Sequence, residues 1–249
     1  MAALEARHLA DLTFEQVARA LRALSSTYVE RRRRLAEGAA LDGAGKRAAF
    51  ALFYGPLHYL LVRSIVLSLP HAADGVGAPV TLLDLGCGTG AAGAAWATSS
   101  STAPRVVGID RHPWAVGEAA WTYRAFGLRA RATQNEVAKA SWPNDPASIL
   151  AAFVLNELSD SARDAVLARA VDRATGRKGK RDGDRLLVVE PLAGFVAPWW
   201  DRWRAAVTSA GGRADEWRVR VELPAIVAKL DRAAGLDHRE LTGRSLWLA

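Results

Sequence analysis

The hydrophobic pattern changes character near residue 80. Before it, Phe14, Val17, Ala18, Leu21, Leu24 and Tyr28 recur at helical spacing, and Thr13 with Gln16 has the separation of a capping box, so a helix with one apolar face is predicted there. Gly38 to Gly45 reads as a turn. A second helical region runs from about Lys46 to Pro70 and reads as two buried helices broken at Gly55-Pro56, with residues 71–79 as a hinge. After it, short apolar runs at 80–85, 105–109, 129–133, 148–154 and 185–190 alternate with helical patterns. That alternation predicts an α/β fold with a parallel sheet and crossover helices. A late amphipathic helix over Leu223 to Gly235 ends at a glycine cap, and Asp237–Thr242 with Arg244–Leu248 suit a closing antiparallel pair. The expected organisation is an N-terminal helical extension, residues 1–75, followed by an α/β domain, residues 76–249.

One stretch departs from this plan. Residues 193–222 are too many for a simple connection and carry Trp199, Trp200, Trp203 and Trp217, so they read as an insert with structure of its own. Pro198, Trp199, Trp200, Trp203 and Val207 suit a helix with an aromatic face. In one reading Trp199 and Trp200 cap a site and receive a planar or cationic substrate; in the other they pack the helix onto the core.

Half of the 249 residues are hydrophobic, enough for one large core or two modest ones. The single cysteine, Cys87, excludes a disulfide framework and a cysteine-based metal centre, and no metal is expected. The first residues lack the apolar core of a signal peptide, so a cytoplasmic location is the expectation. The apolar stretch from Ala48 to Leu69 is interrupted by Gly55-Pro56, His58 and Arg63, which argues for buried helices and against a membrane span. Lysine and arginine exceed aspartate and glutamate by 33 − 26 = 7. The clusters Arg31–Arg34 and Arg177-Lys178-Gly-Lys180-Arg181 read either as phosphate contacts or as a solvated helix end and loop.

The chemistry concentrates where the first strand ends. Thr81 to Leu85 runs into Gly86-Cys87-Gly88-Thr89-Gly90, and Ala91 opens a helix whose free N–H groups face the turn. The next strand, Arg105 to Ile109, ends in Asp110, placed to accept hydrogen bonds from ribose hydroxyls. Gly86-x-Gly88-x-x-Ala91 followed by Asp110 satisfies the dinucleotide fingerprint. Asp84 argues against a pyrophosphate and for a cationic ligand. S-adenosylmethionine, with its sulfonium and α-ammonium groups, meets that requirement: Asp84 and the glycine amides would hold its methionine end and Asp110 its ribose.

Leu83-Asp84-Leu85-Gly86-Cys87-Gly88-Thr89-Gly90, with Val107-Gly108-Ile109-Asp110, resembles the first two motifs of class I S-adenosylmethionine-dependent methyltransferases. The resemblance extends over residues 80–249. It implies a Rossmann-like, doubly wound, mostly parallel seven-stranded sheet with an antiparallel C-terminal strand. It implies S-adenosyl-L-methionine as cofactor, with Asp84, Gly86, Cys87, Gly88, Gly90, Asp110 and Arg111 around it, Cys87 packing beneath. After the third strand many such enzymes meet the adenine amino group with an acidic or amide side chain; Gln134-Asn135-Glu136 stands there, and Asn135 is the candidate. His112 and Trp114 read as adenine cover or as surface and core residues. The end of strand four faces the transferred methyl in this fold, so Asn156 and Glu157 are the candidate catalytic residues. Glu157 reads equally as a general base or as a cap for the helix beginning at Ser159; Glu190 has the same ambiguity.

The order of Ala48–Tyr59, Ala152–Leu158 and Leu187–Pro191 is also similar to that in methyltransferase-like proteins of the small ribosomal subunit, which carry a C-terminal cysteine cluster that this chain lacks. Three functions follow: a methyltransferase for a small molecule, a methyltransferase for ribosomal RNA, and a cofactor-binding protein without turnover. The first is favoured. No Asn-Pro-Pro-aromatic tetrad occurs, which weakens methylation of an adenine amino group.

Overall fold

The computed structural model describes residues 1–30, 41–73, 79–176, 184–192 and 197–249. Both basic clusters lie outside the described residues. The backbone divides into two units, residues 1–60 with 220–241, and residues 61–219 with 242–249. The sequence boundary at 75/76 therefore differs from this division, which runs through a helix and assigns residues 220–241 to the first unit.

The first unit is helical. Helix α1 spans Ala2–His8 and α2 spans Phe14–Glu30. The capping box at the start of α2 is formed: Thr13 N–H donates to Gln16 Oε1 at 2.8 Å and Gln16 N–H to Thr13 Oγ1 at 3.3 Å. Its apolar positions Val17, Leu21 and Leu24 are fully buried. Helix α3 runs without interruption over Ala44–Ser68, long and apolar enough by length and composition to cross a membrane, with just over half of its most apolar window buried. The expected break at Gly55-Pro56 is thus corrected. Residues Phe50–Tyr54 form a π-helical turn in which Gly55 N–H donates to the Phe50 carbonyl, and this wider turn takes up the missing N–H of Pro56 and the bulk of its ring.

The second unit is a seven-stranded sheet of order β3-β2-β1-β4-β5-β7-β6. The strands are β1 Thr81–Leu85, β2 Arg105–Asp110, β3 Ala130–Gln134, β4 Ala147–Ala152, β5 Arg185–Glu190, β6 Arg213–Val219 and β7 Leu241–Leu248. Strands β1 to β5 pair in parallel, and β7 runs antiparallel to β5. The Rossmann-like expectation is borne out. Strands β1, β4 and β5 are buried at every position, as central strands covered on both faces must be. The covering helices are α4 Ala91–Ser99, α5 Pro113–Ala125, α6 Asp160–Ala174 and α7 Trp200–Ser209; α8, Ala225–Ala233, lies in the first unit.

Two expectations about the C-terminal third are corrected. The partner of the last strand is β6 at 213–219, and Asp237–Thr242 does not form a strand of its own. The supposed insert at 193–222 contains α7 and β6, regular parts of the sheet architecture. Strand β6, Arg-Ala-Asp-Glu-Trp-Arg-Val, has no fully buried position because it is an edge strand, and so it lacks the apolar run by which the inner strands are read.

Candidate functional site

The strand order reverses between β2-β1 and β4, which places a crevice beyond the carboxyl ends of β1, β2 and β4. A cavity of about 190 Å³ lies there. It is lined by residues from the ends of β1 and β2 (Gly86, Asp110, Arg111), from the stretch after β3 (Glu136, Val137, Ala138) and from the stretch after β4 (Val154, Glu157, Leu158, Ser159, Ala162).

The turn after β1 is held from below. Gly86, Gly88 and Gly90 take φ of 65°, 53° and 77°. A Cβ at Gly86 would fall 2.1 Å from Val154 Cγ2, so glycine is required there by a neighbouring side chain as well as by its backbone. Cys87 N–H donates to the Ile109 carbonyl at 2.9 Å, and Gly88 N–H donates to Asp110 Oδ2 at 2.9 Å. Asp110 Oδ1 accepts from His112 N–H at 2.8 Å. Each Asp110 oxygen therefore keeps acceptor capacity toward the cavity it lines.

Asp84 does something other than expected. It is 1% exposed and absent from the cavity wall; its Oδ2 accepts from the Tyr123 hydroxyl at 2.8 Å and the carboxyl also takes the Gly93 N–H beneath the start of α4. Burial pushes its pKa from 3.8 up to about 7, against these two bonds. It braces the turn from inside, and its proposed contact with a cationic ligand is withdrawn. Cys87 packs with Tyr123 in the same layer; burial and then the neighbouring acids hold its thiol well above the usual range, so it stays protonated and does not act as a nucleophile.

Asn135 is also placed differently. Its Oδ1 accepts from Glu136 N–H at 2.8 Å, its side chain is exposed, and the cavity wall at this point is Glu136, Val137 and Ala138. His112 serves α5, its Nδ1 accepting from Trp114 N–H at 3.2 Å.

At the end of β4, Leu155–Glu157 form a 3-10 turn. The helix that follows is capped by Ser159, whose Oγ accepts from Ala162 N–H at 3.3 Å, so Glu157 is not its cap. Glu157 Oε2 instead lies 3.3 Å from Arg111 Nη2, and both residues line the cavity. Burial raises the Glu157 pKa from 4.5 to about 7, opposed by Arg111, and its side chain remains 34% exposed.

Asn156 turns inward. Its Nδ2 donates to Glu190 Oε2 at 2.7 Å, and its Oδ1 accepts from Trp199 Nε1 at 3.0 Å. Glu190 is fully buried, its Oε1 accepting from Leu155 N–H at 3.1 Å, and burial lifts its pKa to about 8. Trp199 and Trp200 are 6% and 7% exposed within the core cluster of α7 and do not line the cavity. Their ring faces meet the protein's own cations: Arg163 lies 5.2 Å from the Trp199 centroid and Arg244 4.1 Å from the Trp200 centroid. The packing reading of the two tryptophans holds, and Asn156 becomes a tie between β4, β5 and α7. The cavity residues outside the sequence-based candidates are Glu136 to Ala138, Val154, Leu158, Ser159 and Ala162. Glu136 directly follows Asn135, and Val154 lies two residues beyond the end of β4.

Residues 82–175 match the family model described as a methyltransferase domain. That segment carries the glycine turn, Asp110 and Glu157, and the resemblance to class I methyltransferases is borne out. Among solved structures, the chain is similar to the mitomycin 7-O-methyltransferase MmcR at 16% identity, covering 99% of this chain and 71% of that one with a TM-score of 0.54. It is also similar to an O-methyltransferase family protein from Burkholderia thailandensis at 16% identity, covering 85% of this chain and 62% of that one with a TM-score of 0.54. At such identities the likeness is one of fold. No curated protein matches the sequence.

Proposed function

We propose that this chain transfers a methyl group from S-adenosylmethionine to a small-molecule acceptor. The observation that carries the reading is the joining, in one cavity, of the positive-φ glycine turn after β1, Asp110 at the end of β2, and Glu157 after β4, within a segment that matches a methyltransferase domain.

The donor set suits the cofactor. Asp110 keeps an acceptor position on each oxygen for ribose hydroxyls, with Gly86 and Val137 beside it in the cavity wall. The cavity, at about 190 Å³, is smaller than the ~300–1,000 Å³ typical of ligand pockets, so part of a nucleoside-sized occupant rests in the open mouth of the crevice. The sulfonium supplies an electrophilic methyl; the protein's share is alignment and removal of a proton. Glu157, ionising near pH 7, suits the second task, and Arg111 holds its carboxylate at the cavity wall.

The small-molecule acceptor is supported by MmcR, which shares the fold and is by name a mitomycin 7-O-methyltransferase. A transfer assay with methyl-labelled S-adenosylmethionine against RNA, protein and small-molecule fractions of cell extract tests the reading. Label in the small-molecule fraction is expected; label confined to RNA would contradict the acceptor class.

A further inference from the structure

Arg244 lies in β7 opposite Glu190, the last residue of β5, so it belongs to the same carboxyl edge of the sheet as the cavity. Register partners in an antiparallel pair lie about 5 Å apart at Cα. Glu190 in turn holds Asn156, the neighbour of Glu157 in the cavity wall. Arg244 is 7% exposed, and its guanidinium carbon lies 4.1 Å from the Trp200 ring centroid. Two of its nitrogens, Nε and Nη2, are shut off from solvent with no hydrogen-bond partner among the described residues.

Those two atoms are not an arbitrary pair. Nε–H and one Nη2–H point the same way along one edge of the guanidinium, the edge that receives two oxygens of a planar anion at once. The facing acid does not fill it: the Glu190 oxygens accept from Leu155 N–H and Asn156 Nδ2, and among the described residues neither hydrogen-bonds the Arg244 edge. Glu190, Asp201 and Glu216 act on Arg244 only through space. A buried cation with an open bidentate edge costs free energy unless an anion completes it. The arginine over Trp200 also disfavours a cation there, reversing the expectation that these tryptophans receive one.

We infer that the Nε/Nη2 edge of Arg244 binds a carboxylate of the methyl acceptor, making the substrate a carboxylic acid. A singly charged planar carboxylate matches the edge in shape and charge; a phosphate would bring more negative charge toward Glu190, Asp201 and Glu216. The inference rests on the methyltransferase reading for its biological meaning, since the binding step itself needs no cofactor.

The test uses the full chain with benzoate as probe, benzamide as its neutral counterpart, and inorganic phosphate, followed by calorimetry and thermal melting. Benzoate is expected to bind the wild type and raise its melting midpoint, with benzamide and phosphate producing no shift. Arg244→Met should melt at or above the wild-type midpoint without ligand, because an unpaired buried charge is gone, and should bind benzoate at least tenfold more weakly. Arg244→Lys should lose most of the affinity while keeping the charge. The inference is overturned if benzoate and benzamide act alike on the wild type, if phosphate matches benzoate, or if Arg244→Met keeps the benzoate response. The benzoate comparison on the wild type decides the matter even where a variant fails to fold. Binding of S-adenosylmethionine without benzoate binding removes this inference alone; benzoate binding without S-adenosylmethionine binding removes the methyltransferase reading alone.

Discussion

Asp84→Asn separates bracing from ligand contact with a number attached. In the folded protein the Asp84 carboxyl ionises near 7, whereas the unfolded chain ionises near 3.8. The folded state therefore holds a proton that the unfolded state has released, and this contribution to stability is complete below the unfolded value and declines as pH rises toward 7. Each pH unit traversed with the proton bound only in the folded state costs about 1.4 kcal/mol. Between about pH 5 and pH 8 roughly two such units are crossed, so the wild type should lose about 2–3 kcal/mol relative to Asp84→Asn, which cannot titrate. Urea melts of both proteins at the two pH values measure the difference directly, since the titration of Glu190, displaced in the same direction, is common to both. Parallel stabilities within about 0.5 kcal/mol would show that Asp84 is not buried as described and would refute the reasoning.

Three further outcomes are expected. Turnover should rise with pH through about 7 as Glu157 loses its proton, Arg111→Ala should move that limb upward because Arg111 favours the ionised form, and Glu157→Gln should abolish it; a rate profile unchanged by either substitution would remove Glu157 as the base. Gly86→Ala should destabilise the protein by about 2–5 kcal/mol, through a left-handed backbone and the clash with Val154, and adding Val154→Ala should recover part of this in denaturant melts; no recovery would disprove the clash. Trp199→Phe should cost about 1–2 kcal/mol of stability by leaving Asn156 Oδ1 unpaired, with cofactor affinity unchanged; a loss of affinity at constant stability would restore Trp199 to the site.

The sheet was legible because its inner strands are buried on both faces and so read as apolar runs; β1, β4 and β5 lie within two residues of their expected bounds. Strand β6 escaped because an edge strand alternates weakly, and its tryptophan and acids read as an insert. The passage of α3 through Gly55-Pro56 escaped for a different reason: a π turn answers the proline, and no residue pattern announces one. In the site, Gly86, Gly88 and Asp110 were found because backbone geometry and strand ends follow from sequence spacing. The direction in which a side chain turns does not. Asp84 points under α4, Asn135 back onto its own loop and Asn156 toward Glu190, each drawn by a partner distant in sequence or by a local amide that competes with the cavity.

The most direct test of the central claim is calorimetric titration of the full chain with S-adenosylmethionine, with NAD as the comparison and Asp110→Ala as the control. The account predicts binding of S-adenosylmethionine, none of NAD, and at least a tenfold loss of affinity when the Asp110 carboxylate is removed. Binding of NAD in place of S-adenosylmethionine, or affinity unaffected by Asp110→Ala, would contradict it.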